Sequence, residues 1–221
     1  DDDRTEVRFL QTPATVWGAE SVLIDEISRC KPEHQNRLFS LVHERRVQGL
    51  LLEKLRYRWA AMNPCGPDQG GGTAYAGSEP LDPALADRFA LVVSAGDWAS
   101  YDESARRSIA DPGASCLTDP GSLAGAISDW RSAFAVRIAH VSARQLDYAT
   151  AWVTALNDAG VRISPRRARL LTRNLCAASV IAGDFTEAVA SAITAVSLPQ
   201  PAWGERVAQE TLAAAHRLAW Q

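Results

Sequence analysis

The feature that most constrains this chain is a change of pattern near residue 98. Residues 7–98 mix short β-branched runs, helical stretches and glycine-rich loops, whereas residues 99–221 are rich in Ala, Leu and Arg with helical spacing almost throughout. Regions with different hydrophobic periods do not merge into one layer, so an α/β region over 1–98 followed by an all-helical domain over 99–221 is expected. A chain of 221 residues is long enough for two modest units, each with its own core.

In the first region, Ser21-Val22-Leu23-Ile24 is a short run ending in two acids, the pattern of a buried parallel strand. Pro32 suits a first helical turn, and Leu38, Leu41, Val42 and Arg45 follow at helical spacing, which predicts a helix over 32–46. Tyr57 to Met62 reads as a second buried strand and Leu91-Val92-Val93 as a third. In the second region, Leu146, Ala149, Val153 and Leu156 form a stripe closed by Gly160. Ser164-Pro165 is an N-cap followed by Pro at the first helical position, and Leu171, Leu175, Ala178 and Ala182 lead to a stop at Gly183. Asp184 and Glu187 have capping-box spacing, and a last helix is expected over 204–220.

Composition narrows the function classes. Apolar residues make up 47% and the formal net charge is −3, which gives no bulk reason to bind nucleic acid or an anionic membrane. No run approaches the ~20 apolar residues of a spanning helix. Cys30, Cys65, Cys116 and Cys176 are scattered, with no CxxC pair, and His34, His43, His140 and His216 are isolated from each other and read as surface or packing residues. Neither zinc nor a disulfide framework is signalled, and a reducing, cytoplasmic setting fits. The opening Asp1-Asp2-Asp3 without Met reads as part of a longer polypeptide.

The chemistry concentrates after the first strand. Asp25-Glu26 follow SVLI directly, where open α/β sheets present ligand-binding groups. One acid there can hold Mg²⁺ and the other can draw a proton from water; a merely solvated loop pair is the alternative. Further on come Ala60-Ala61-Met62-Asn63-Pro64 and Leu81-Asp82-Pro83-Ala84-Leu85-Ala86-Asp87-Arg88-Phe89. In order and spacing, residues 8–98 resemble the AAA+ ATPases of the MoxR and dynein-related branch. That family runs from a Walker B motif (hhhhDE) through a helix to a sensor 1 strand ending in Asn-Pro, then an LxxALxDRF segment. Arg8 to Arg29 is similar to its approach to Walker B, and Ser164-Pro165-Arg166 to its sensor 2 start.

The resemblance implies the C-terminal part of a P-loop NTPase core, a parallel sheet with flanking helices, followed by a helical lid. By it, Asp25 serves Mg²⁺, Glu26 activates the hydrolytic water, and Asn63 is sensor 1. Arg88 is the arginine finger acting on a neighbouring subunit's nucleotide, and Arg166 is sensor 2 on the lid. The bland readings are an Asn-Pro turn for Asn63, a surface ion pair with Asp82 or Asp87 for Arg88, and a solvated basic face for Arg166, Arg169 and Arg173. ATP and Mg²⁺ are the implied cofactors. A homo-oligomeric, hexameric ring, a von Willebrand factor A-type domain protein and a protein client are the implied partners.

A phosphate cradle of the form G-x-x-x-x-G-K-[ST] is also required. Gly66 to Thr73 has its spacing, but Gly72 stands where the lysine belongs, and no helical pattern follows. That segment reads as a loop. In the resembled family the cradle precedes Walker B, so it is expected upstream of residue 1. Two alternatives follow: a non-hydrolysing assembly scaffold, and an AAA+ motor acting on nucleic acid through the arginine cluster over 162–173.

Overall fold

A computed structural model describes residues 15–63, 78–113, 120–203 and 206–221. The architecture is α/β, with a small parallel sheet and most of the chain in helices. It separates into two compact units, Asp1–Arg88 with Ala202–Glu205, and Phe89–Pro201 with Arg206–Gln221. The family-like approach before Thr15, the Gly66 to Thr73 loop, Pro64, Cys65 and Cys116 lie outside the described residues. No helix among the described residues is long and apolar enough to cross a membrane.

In the first unit β1 (Ser21–Ile24) pairs in parallel with a later strand, Tyr57–Ala60, in the register Ser21 opposite Tyr57 through Ile24 opposite Ala60. Between them run α1 (Pro32–Phe39), a wide turn over Ser40–Glu44, and a hairpin of β2 (Arg46–Val47) with β3 (Leu50–Leu51), so the partner of β1 is β4. The helix expected to reach residue 46 loses its regular α form at Phe39, because the next turn widens and Arg45 adopts a left-handed φ of 56°. The hairpin was not foreseen. Gln48 (φ 50°) and Gly49 (φ 82°) take the paired left-handed conformations of a type I′ turn, a combination that Asn-Gly announces and Gln-Gly does not.

Leu41, Leu52 and Leu55 form one core cluster of this unit, with Val22, Ile24, Leu38 and Val47 packed against them. Strand side chains alternate, so Leu23 turns to the other face and is 63% exposed. The expectation of a strand buried on both faces is therefore corrected: a two-stranded sheet covers one face only. The second strand ends at Ala60, not Met62, and its Trp59 is exposed, donating from Nε1 to Ser21 Oγ at 3.1 Å. Then α2 (Pro83–Ala86) begins at Asp82, whose Oδ1 accepts from the N–H of Ala84 (2.7 Å) and Leu85 (3.2 Å).

The second unit holds α3 (Glu103–Ala110), α4 (Pro120–Ala139), α5 (Ala143–Asp158), α6 (Pro165–Ala182), α7 (Glu187–Val196) and α9 (Gln209–Trp220); the short α8 (Gln200–Trp203) lies across the division between the units. Residues 91–93 do not form the expected third strand: Leu91 and Val93 are exposed, and Val92 N–H donates singly to the carbonyl of Val196. Helix ends follow the local chemistry. Ser142 Oγ accepts from Gln145 N–H (3.2 Å) and Ser164 Oγ from Arg167 N–H (3.0 Å), while Gly183 closes α6 at φ 86°. The cap of α7 is Thr186, not Asp184, because the Asp184 carboxylate is taken by Phe185 N–H at 2.7 Å.

Tyr148, Trp152 and Leu156 of α5 pack with Leu171 and Leu175 of α6, Phe185, Ala190 of α7 and Ala215 of α9. Each fully buried large apolar side chain contributes about 1.5–3 kcal/mol, so this cluster dominates the stability of the unit. Of the expected stripe, Ala149 and Leu156 are buried and Val153 packs against them, but Leu146 is 47% exposed, and Tyr148 and Trp152 turn inward as well.

Candidate functional site

Parallel pairing sends β1 and β4 out of the same end of the sheet. Past the last pair, Ala61 N–H donates to the Ile24 carbonyl and Ile27 N–H donates to the Ala61 carbonyl, each at 3.0 Å. The turn bearing Asp25 and Glu26 is thus bound to the segment leading into Asn63. Ser78 reinforces the junction: its hydroxyl donates to the Asn63 carbonyl at 3.1 Å and lies 3.0 Å from Ser28 Oγ, while Glu79 N–H donates to the Ser28 carbonyl at 3.1 Å. Asp25, Glu26 and Asn63 are brought to one edge by backbone bonding rather than by contacts between their own side chains.

Glu26 has φ 48° and ψ 41°, a left-handed conformation that costs a non-glycine residue on the order of 1 kcal/mol. Such strain is tolerated where the surroundings enforce it, and here Ile24 and Ile27 on either side of the acid pair are both bonded to Ala61. Asp25 Oδ1 accepts from the Glu26 N–H at 2.9 Å, and Glu26 Oε2 lies 3.3 Å from Arg29 Nε. Both carboxylates are exposed. An ionised carboxylate has about four lone-pair positions, so Asp25 can still offer an oxygen to a cation. No group of three or more His, Cys, Asp or Glu among the described residues is arranged to hold a metal ion. One exposed carboxylate can hold a hydrated Mg²⁺, and does not make an all-protein cage.

Arg88 follows α2, half-buried in the first unit. Its guanidinium carbon lies 4.4 Å from the centroid of the Phe39 ring, and Nη1 donates to the Ala84 carbonyl at 2.5 Å. The side chain is folded back on its own unit, with the ring of α1 as its platform. Arg166 occupies the first turn of α6, in the second unit, held there by the Ser164 cap and Pro165.

Arg167, one of the arginines in the 162–173 cluster, is the buried cation of this helix. It is 1% exposed and donates from Nη1 to the carbonyls of Phe89 (2.8 Å), Ala90 (3.3 Å) and Ser197 (3.1 Å). His216 packs against the rings of Tyr148 and Trp220. Its Nδ1 lies 2.7 Å from the Tyr148 hydroxyl, and its Nε2 lies 3.6 Å from Glu187 Oε1. Residues 68 positions apart give no local signal for such a contact. Comparisons of the chain with protein-family models, curated proteins and solved structures found no match.

Proposed function

We propose that the chain is the Walker B to lid portion of an AAA+ ATPase of the MoxR-like branch, acting in a cytoplasmic, hexameric ring on a protein client. Partners carrying a von Willebrand factor A-type domain belong to the same reading. One observation carries it: an acid pair and an asparagine leave neighbouring parallel strands at the same sheet end, where open α/β sheets gather ligand chemistry. The family resemblance of the motifs around those residues supplies the rest.

Under this reading Glu26 accepts a proton from the attacking water, with Arg29 Nε 3.3 Å from its carboxylate. Asp25 holds Mg²⁺, which when bound neutralises charge on the phosphates. Asn63 can donate to one oxygen and accept from another, which suits orientation of the water. Arg88 leaves Phe39 to reach a neighbouring copy's phosphates; giving up that stacking costs about 1 kcal/mol, small beside the ~10³-fold rate effect of such a residue. Arg166 contributes a permanent cation to the same phosphates.

The test is phosphate release from Mg-ATP by the protein carrying its full natural sequence. Glu26→Gln is expected to slow release by at least about 10²-fold while nucleotide remains bound. Equal turnover of the two proteins, or none in the parent, would sink the ATPase reading. The packing of Arg88 on Phe39 within its own unit favours a second reading, a non-hydrolysing assembly scaffold in which Glu26→Gln changes nothing.

A further inference from the structure

Helix α4 carries more apolar surface than its neighbours cover. Leu123, Ile127, Trp130, Phe134 and Ile138 recur at intervals of four, three, four and four residues, which places them on one stripe of the helix. Only the second part of that stripe is covered: Phe134 and Ile138 are half-buried, whereas Leu123, Ile127 and Trp130 are exposed. The covered end opens into a groove of about 390 Å³, lined by Ile138, Val141, Ala149 and Ala168 and by the exposed Leu146 of α5. Globular proteins rarely leave a continuous apolar surface of this kind to water, so the face has the character of a recognition surface.

Charge decides what the face accepts. Helices α4 and α6 together carry Arg131, Arg137, Arg166, Arg167, Arg169 and Arg173 against a single acid, Asp129. Arg167 is buried within the unit, but Arg169 and Arg173 line the groove. The Arg173 guanidinium stands 5.4 Å from the centre of the Phe134 ring, which holds the cation against the apolar stripe. Arg169 and Arg173 make no ion pair among the described residues. An apolar groove flanked by such cations suits an amphipathic helix with carboxylates beside its apolar side. A single-stranded nucleic acid would engage the arginines, but its bases stack on aromatic rings and leave the aliphatic lining unused.

We propose that the face formed by α4, α5 and α6 docks an acidic amphipathic helix of a protein partner. Its apolar side runs from Leu146 and Ile138 up the exposed stripe to Trp130, and its carboxylates pair with Arg169 and Arg173. The surface does not rest on the ATPase reading.

The experiment follows the fluorescence anisotropy of labelled synthetic helices of roughly five turns, mixed with the full chain. The first probe has Leu at its apolar positions and Glu beside them; a second has Lys in place of Glu, and a third Ser in place of Leu. Saturable binding is expected for the first alone. Arg169→Glu combined with Arg173→Glu should weaken it at least about tenfold. Leu146→Asp, at a side chain already exposed, should do the same with no loss of helix by circular dichroism. No saturable binding to the parent protein, unchanged binding in both variants, or equal binding of the Lys probe overturns the proposal. Equal binding of the Ser probe, or displacement of the first probe by oligothymidylate, assigns the face to polyanions and overturns the protein partner. A dimer of the parent chain in sedimentation velocity that Leu146→Asp dissociates assigns the face to a second copy, and overturns it as well.

Discussion

The Arg167 guanidinium, buried in the helical unit, donates to the main-chain carbonyl of Ser197 at 3.1 Å. The same nitrogen reaches the carbonyls of Phe89 and Ala90, so one side chain ties the start of α6 to the strip after residue 88 and to the end of α7. A methionine of similar length would leave those carbonyls facing apolar atoms. Arg167→Met is expected to lower unfolding stability by about 3 kcal/mol, read as a reduced urea midpoint. Arg169→Ala, on the exposed side of the same helix, should stay within about 0.5 kcal/mol of the parent.

Two glycines separate backbone conformation from packing. Gly183 ends α6 at φ 86°, and Gly125 lies within α4; a Cβ added at either position meets nothing within 4 Å. Sterics with neighbours therefore cancel from the comparison. Gly183→Ala should cost about 1 kcal/mol through its left-handed backbone, whereas Gly125→Ala should add roughly 0.5–1 kcal/mol through helix propensity. Thermal denaturation of both variants shows whether the signs differ.

What could be read from the sequence follows the range of the interactions involved. Ser164-Pro165, Gly160 and Gly183 mark helix ends because capping is local, and all three occupy those places. The adjacency of Asp25-Glu26 and Asn63 was legible because two strands joined through a helix pair in parallel and so end together. The exposure of Leu23 and Trp59 was not, since periodicity cannot tell how many layers cover a sheet. Arg166 and Arg167 are consecutive arginines about 100° apart on a helix. Which of them is buried depends on Phe89, Ala90 and Ser197, segments remote in sequence.

Tyr148 sets an alkaline limit on stability. Burial pushes its phenol up to about 12 from an ordinary value of 10.0. The unfolded chain therefore ionises this tyrosine first, and between pH 10 and 12 the unfolded state binds fewer protons than the folded one. Stability falls as pH rises through that window, by up to about 2–3 kcal/mol from this residue, and is fully retained below pH 10. Tyr148→Phe should flatten that part of the profile. The same substitution removes the hydroxyl bonded to His216, costing about 1 kcal/mol near neutral pH. Urea midpoints of both proteins at pH 8 and pH 11 check both effects. Equal losses between the two pH values would contradict the assignment.

Cys176 tests the same core by chemistry rather than titration. It lies fully buried on α6, and burial pushes its thiol upward, outweighing the Arg137 and Arg173 charges that favour the thiolate. The thiolate is the nucleophile, so a buried thiol with a raised pKa reacts only when the core opens. Cys30, half-exposed beside α1, has no such cover. With iodoacetamide at pH 8, peptide mapping by mass spectrometry should show Cys30 alkylated in the native protein and Cys176 protected. Protection should vanish in urea. Arg167→Met should raise the native alkylation rate of Cys176 by about the factor that its lost stability predicts, because the same helix must open for the reagent to enter. Equal native rates for Cys30 and Cys176 would contradict the packing of α5 against α6.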